Sequence, residues 1–290
     1  MKKEFLHPQG PNFSRIVAGA WRWHTVSPEE VERLIHTAMD IGITTFDHAD
    51  IYGNHGNEEI FGNVLKKNPG LRKKMELVTK CGIKPVSNQR PATWVMHYDT
   101  SKEHILWSAE NSLKNLKTDH LDLLLIHRPD PLLDPNVVAE AFSRLKMEGK
   151  VLHFGVSNFT PSQFTMLQQH LPFPLVTNQI EISLLRTEPL FNGDIDLMLE
   201  RHTSPMAWSP IGGGKLMAGD RQIFNKASKY NATYSQLSLA WLLRHPAKIF
   251  PVIGTTQPDR IKEAAQSTEL NLDLQDWFEM LKWAMGKEMP

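Results

Sequence analysis

Cysteine is nearly absent. Cys81 stands alone among 290 residues, so the chain can form no internal disulfide. Such usage fits a reducing compartment. Neither sign of charge prevails, since 32 Lys+Arg face 32 Asp+Glu. That balance argues against a nucleic-acid binder, which usually carries a basic excess or stripe, and against an acidic solvating tail. No apolar run approaches the roughly 18 residues of a membrane span, so none is expected. The start, Met1-Lys2-Lys3-Glu4-Phe5-Leu6-His7-Pro8, is basic but leads into no apolar segment. No signal peptide is expected, and the expected location is the cytoplasm. No low-complexity stretch and no Pro/Gly/Ser linker divides the chain, which reads as one domain over 1–290.

What is present is an ordinary globular composition, 41% hydrophobic and 9% aromatic. Short apolar runs at 16–20, 44–47, 76–80, 122–127, 152–156, 175–178, 205–208 and 249–253 read as strands. Stretches with helical spacing lie between them, near 58–66, 103–116, 135–147, 161–168, 189–201, 235–244 and 258–267, with a last one at 275–285. An earlier helix opens at Ser27-Pro28-Glu29-Glu30. There Ser27 can cap, Pro28 suits the first turn and Glu30 completes a capping box. Eight strand–helix units at even spacing predict a parallel sheet buried on both faces. In a chain of this length they favour a closed (β/α)8 TIM barrel.

In such a barrel, chemistry sits at the C-terminal strand ends. Three neighbouring ends carry Asp47, Lys80 and His127, and Tyr52 follows Asp47 by five residues. Alternation along each strand lets these point inward while Phe46, Thr79 and Ile126 face the helices. Singly, each has a bland reading: a cap, a surface charge, a satisfied imidazole, a packed phenol. Together they suit proton donation. Free tyrosine, with a pKa near ~10, is a poor acid at neutral pH, and a nearby ammonium favours its phenolate. Asp47 would keep Lys80 placed and charged, and a neutral His127 could orient a carbonyl. No side chain donates hydride, so a cofactor must.

This Asp, Tyr, Lys and His pattern resembles the catalytic tetrad of the aldo/keto reductase superfamily. Further segments are similar to the family in order along the chain: Gly155-Val156-Ser157-Asn158-Phe159, Thr177-Asn178-Gln179-Ile180-Glu181, Trp208-Ser209-Pro210-Ile211-Gly212-Gly213-Gly214, and Val252-Ile253-Gly254-Thr255-Thr256 with Arg260. The runs at 47–53, 127–131 and 208–214 look most like its bacterial YdhF-like branch. The resemblance implies an NADPH-dependent reductase of aldehydes or ketones, a small-molecule enzyme with no nucleic-acid or membrane partner. Tyr52 would be its general acid, Lys80 and Asp47 its tuning pair, and His127 the carbonyl-orienting group.

The same resemblance implies that Ser157, Asn158 and Gln179 bind the nicotinamide amide and that Trp208 stacks on the ring. Ser209, Pro210, Ile211 and Gly212 would line the pyrophosphate. Gly254, Thr255, Thr256, Arg260 and Glu263 would hold the adenosine end, and Ala20 and Trp21 would border the cofactor after the first strand. An arginine beside the ribose favours a 2′-phosphate, hence NADPH. Gln257 and Ala264 depart from the Lys or Arg and the Asn that the family often has there.

Other signals are weaker. Gly212-Gly213-Gly214-Lys215-Leu216 is not a Walker A loop, because Ser209 and Leu216 stand where Gly and Ser/Thr belong. There is no Rossmann Gly-x-Gly-x-x-Gly, so the cofactor needs another scaffold. His48 and Asp50 hint at a metal pair, but without His-x-His or His-Glu-x-x-His spacing no metal is expected. Cys81 reads as a packed thiol. The rival functions are a low-turnover NADP(H)-binding redox sensor and a metal-dependent barrel hydrolase.

Overall fold

The computed structural model describes residues 1–218 and 221–288. Eight parallel strands close into a barrel: β1 (Val17–Gly19), β2 (Thr45–Asp47), β3 (Glu76–Cys81), β4 (Leu121–Ile126), β5 (Val151–Ser157), β6 (Leu175–Glu181), β7 (Met206–Trp208) and β8 (Phe250–Ile253). Each pairs with the next, and β8 returns to β1 with Val252 opposite Val17. The helices between them are α1 (Pro28–Asp40), α2 (Asn57–Lys67), α3 (Lys102–Leu116), α4 (Pro135–Met147), α5 (Pro161–Gln168), α6 (Asp194–Glu200), α7 (Arg221–Lys229), α8 (Tyr234–Leu243) and α9 (Pro258–Gln266). A last helix, α10 (Leu274–Met285), follows.

The strands alternate between two cores. Val17, Val78, Leu123, Leu125, Val176, Met206, Phe250 and Val252 fill the barrel, joined by Leu6 and Phe13. Leu6 and Phe13 come from the N-terminal segment around the hairpin Lys3–Phe5/Asn12–Ser14, which closes the bottom of the barrel: the Leu6 carbonyl accepts from Ser204 N just ahead of β7. The outward residues meet the helices. Phe46 is fully buried between Trp23 and Phe61, with ring centroids at 6.2 and 5.2 Å. Truncating such a ring costs about 3–5 kcal/mol.

Helix starts follow the sequence closely. Ser27 and Glu30 make the expected capping box, and Thr160 with Gln163 makes another. The helix expected over 189–201 is instead a 3-10 turn (Glu188–Leu190) followed by α6, because Gly193 sits between them at φ 92. Glycine takes that left-handed conformation without a Cβ clash. Two hairpins and α7 are additions the periodicity did not reveal. Strand β6 runs three residues past its expected end, which places Gln179 inside the sheet.

Candidate active site

Asp47 ends β2, Lys80 is the penultimate residue of β3, and His127 directly follows β4. The sheet register sets Asp47 opposite Val78, and Lys80 opposite Leu125. Their outward neighbours behave as alternation requires. Phe46 and Ile126 join the outer core, and Thr79 donates to Glu58 of α2 at 2.6 Å. The buried Lys80 ammonium spends its three donors on three oxygens: Asp47 Oδ2 at 2.7 Å, the His48 carbonyl at 2.8 Å and the Tyr52 hydroxyl at 3.3 Å. The Tyr52 and His127 rings meet nearly edge to face, with centroids 6.0 Å apart.

Tyr52 opens a short helical turn (Tyr52–His55) bent by Gly53 at φ 59. A Cβ there would lie 2.1 Å from Asn57 Oδ1, so only glycine fits. Asn57 in turn donates to the Ala20 carbonyl at 2.7 Å, anchoring the Tyr52 segment to the end of β1.

Burial sets the charge states. It pushes the Lys80 ammonium toward neutrality, but Asp47 and Tyr52 more than compensate and hold its pKa above the ordinary value. Burial also raises the Tyr52 phenol, and the opposing pull of Lys80 does not cancel it. The lowering expected from the ammonium alone is thus overturned, and the resting phenol stays protonated. The His127 imidazole is held well below its ordinary range by burial, then by Lys80 and Arg128. It is therefore neutral, as expected, and its Nδ1 has no partner among the described residues.

These groups open on a cavity of about 990 Å³. Asp47, Tyr52 and His127 line it, as do Trp21, Ser157, Asn158, Gln179 and Trp208. Ser209, Pro210 and Ile211 continue the wall toward Gly254, Thr255, Thr256, Arg260 and Glu263. Trp208 Nε1 donates to Asn158 Oδ1 at 2.9 Å, and Asn158 Nδ2 to Ser157 Oγ at 2.8 Å. Ser157 Oγ donates to the Gln179 carbonyl at 2.7 Å. Asn158 and Ser209 hold φ 61 and φ 50, a conformation costly for residues with a Cβ and concentrated at functional sites.

Lys80 lies behind the wall, against Asp47 and Tyr52. Two expected residues are placed differently. Ala20 is sealed, with 0% exposure, because the chain turns its side chain into the outer core. Gly212 is turned toward Leu185, 2.5 Å from where its Cβ would be, and it is Gly213 and Gly214 that face the cavity. His48 and Asp50 point outward between strands and helices. The His48 ring stands edge-on to Phe61 at 4.6 Å, and Asp50 accepts from Ser108 of α3 at 2.7 Å. Burial takes His48 down to about 3. Cys81 is a buried thiol pushed well up by burial. Among the described residues, no group of three or more His, Cys, Asp or Glu is placed to hold a metal ion. No helix among them is long and apolar enough to cross a membrane.

Sequence reasoning missed Arg22 and Arg128, which line the cavity from loops, Asn54 in the helical turn after Tyr52, and Ile83 in a short hairpin strand. Arg128 had a visible signal, its place directly after His127 at a strand end. The cavity's far end suits a phosphate. Helix α9 starts at Pro258, its N-cap Gln257 makes no side-chain cap bond, and Arg260 stands in the first turn. Free N–H groups and a positive dipole end favour an anion there.

Fold and site together define a (β/α)8 barrel whose strand ends gather an acid, a phenol and an imidazole on one cavity, with an ammonium directly behind them. The model described as "Aldo/keto reductase family" matches residues 15–282. The chain belongs to that family and is an oxidoreductase. It is 46% identical over 295 residues to "Oxidoreductase YdhF" of Escherichia coli, covering 98% of each chain. It is 48% identical over 286 residues to a "6-dehydroglucose reductase" of Agrobacterium fabrum, covering 95% of this chain and 96% of that one. A solved aldo/keto reductase from Klebsiella pneumoniae in complex with NADP and acetate shares the fold. Its TM-score is 0.81 at 24% identity, covering 98% of this chain and 96% of that one.

Proposed function

We propose that the protein is an NADP(H)-dependent carbonyl reductase that converts small aldehydes or ketones to alcohols. One observation carries this reading: the Lys80 ammonium donates at once to Asp47 and to the Tyr52 hydroxyl, at the edge of a cavity with room for a dinucleotide and a substrate. Two relatives support it, one named for reduction of 6-dehydroglucose and one solved with NADP.

When bound, NADPH would supply the hydride. The chain's own residues handle the proton and the oxygen. Neutral His127 donates a hydrogen bond to the substrate carbonyl and orients it. Tyr52 gives its proton to the oxygen as negative charge builds there. The phenolate left behind faces the Lys80 ammonium, so stabilisation arises at the moment of transfer, where it lowers the barrier. Asp47 keeps that ammonium charged and aimed. In the oxidative direction Tyr52 takes the proton back.

Ser157, Asn158 and Gln179 would hold the nicotinamide amide. Gln179 uses its Nε2 on Asp47, at 3.0 Å, and leaves Oε1 to accept. The face of Trp208 would support the ring. The loop after β8 and the start of α9 would take the adenosine end, with Arg260 on a 2′-phosphate. The test is single-turnover oxidation of enzyme-bound NADPH by a simple aldehyde. A rapid absorbance loss that yields the alcohol is expected. Bound NADPH that persists for many minutes in saturating aldehyde would leave only a binding module.

A further inference from the structure

Charge along the cavity does not balance. Three guanidiniums line it, Arg22, Arg128 and Arg260, against the carboxylates of Asp47 and Glu263. Lys80 already neutralises Asp47. Arg22 donates to the Gly254 carbonyl at 3.2 Å and lies 5.0 Å from the Trp21 ring. Arg260 sits at the start of α9, beside its uncapped N–H groups. Arg128 is half-buried and has no ion pair or hydrogen bond among the described residues; its guanidinium rests 5.7 Å from the Trp208 ring centroid. Its N–H donors therefore face the cavity without a protein partner among the described residues, open to the oxygens of a ligand.

Its position says which ligand. Arg128 directly follows His127 at the end of β4. In the closed order of eight strands, β4 lies four strands from β8, across the mouth from Arg260 and the α9 terminus. A phosphate held at α9 is thus remote from it. Its field is felt by both Tyr52 and His127, the two groups that would grip the carbonyl. The planar guanidinium presents paired N–H donors that suit two oxygens or a carboxylate, and the edge of the site it shares with Trp208 leaves those donors to a ligand.

We propose that Arg128 reads the substrate by donating to an oxygen on the carbon beside the reacting carbonyl, so that α-oxygenated carbonyls, α-hydroxyaldehydes or 2-oxo acids, are preferred. This rests on the reductase reading above. An unsubstituted aldehyde leaves the donors unpaired, and sites built to bond a substrate oxygen discriminate strongly against analogues that lack it.

The test compares kcat/KM with NADPH for two size-matched pairs, glycolaldehyde against propanal and glyoxylate against 2-methylpropanal. The parent, Arg128→Lys and Arg128→Gln are measured, with melting curves to confirm folding. Comparing each substrate with itself across variants cancels its hydration in water. In Arg128→Gln the oxygenated-to-plain ratio should fall about 10-fold or more in at least one pair, and Arg128→Lys should recover part of it. A larger fall with glyoxylate identifies a carboxylate, and a larger fall with glycolaldehyde a hydroxyl. Ratios that stay constant in both pairs overturn the assignment, as does a loss of NADPH affinity that accounts for the whole effect. A parent enzyme that reduces none of the four while binding NADPH would sink the reductase reading itself, and this proposal with it.

Discussion

Gln179 Nε2 donates to Oδ1 of Asp47 at 3.0 Å, the carboxylate oxygen that Lys80 leaves free. The two residues are 132 positions apart and are brought together because β6 and β2 face each other across the barrel. With both oxygens engaged, the carboxylate plane is fixed, and with it the direction of the ammonium. Replacing Gln179 with Leu strands a buried acceptor, which costs about 1–3 kcal/mol. Urea denaturation of Gln179→Leu should show that loss together with weaker NADPH binding. Unchanged stability would mean the bond to Asp47 is not made in solution.

Tyr52→Phe removes one hydroxyl from a ring that otherwise keeps its packing against His127. Reduction should fall by roughly 10²–10⁴-fold, the usual reach of a general acid. NADPH affinity, read by quenching of tryptophan fluorescence, should hardly move. A near-parental rate would take the proton-donor role away from Tyr52.

Arg260→Ala should weaken NADPH binding by tenfold or more while NADH changes far less, because only NADPH carries the 2′-phosphate that a guanidinium pairs so well. Isothermal titration with both coenzymes decides it. Equal losses would show that Arg260 contacts a part of the dinucleotide common to both.

The chain announces its barrel through apolar strands and capped helices. Asp47, Lys80 and His127 were legible because a strand end in a parallel barrel is a defined place with a defined direction. The loops carry no such rule. Ala20, one residue past β1, was expected at the cofactor and is buried. Arg128, one residue past His127, went unweighed and lines the cavity. The Tyr52 phenol shows the other limit. A residue list reveals that an ammonium is near, but the opposing effect of burial depends on the walls around it.

Asp50 lies two residues before Tyr52, on the side of the barrel wall away from the cavity. It is fully buried, and its Oδ1 has no partner among the described residues. Burial raises its carboxyl from 3.8 to about 7; Ser108 opposes that, Glu58 adds to it, and Arg90 pulls it back. The folded state therefore keeps a proton that the unfolded chain releases near its ordinary pKa. Where the folded state binds more protons, stability falls as pH rises, so this contribution is present near pH 4 and lost by about pH 7. Asp50→Asn cannot titrate, yet its side-chain carbonyl can still accept from Ser108. Its stability relative to the parent should therefore improve from pH 5 to pH 8, by at least about 1 kcal/mol, since each pKa unit is worth ~1.4 kcal/mol. His48, with its pKa taken down to about 3, and His104, taken down to about 4, slope the opposite way. They are common to both proteins and cancel in the difference. Urea midpoints at the two pH values give the answer, and a difference that stays flat would mean Asp50 is ionised in the folded protein at pH 5.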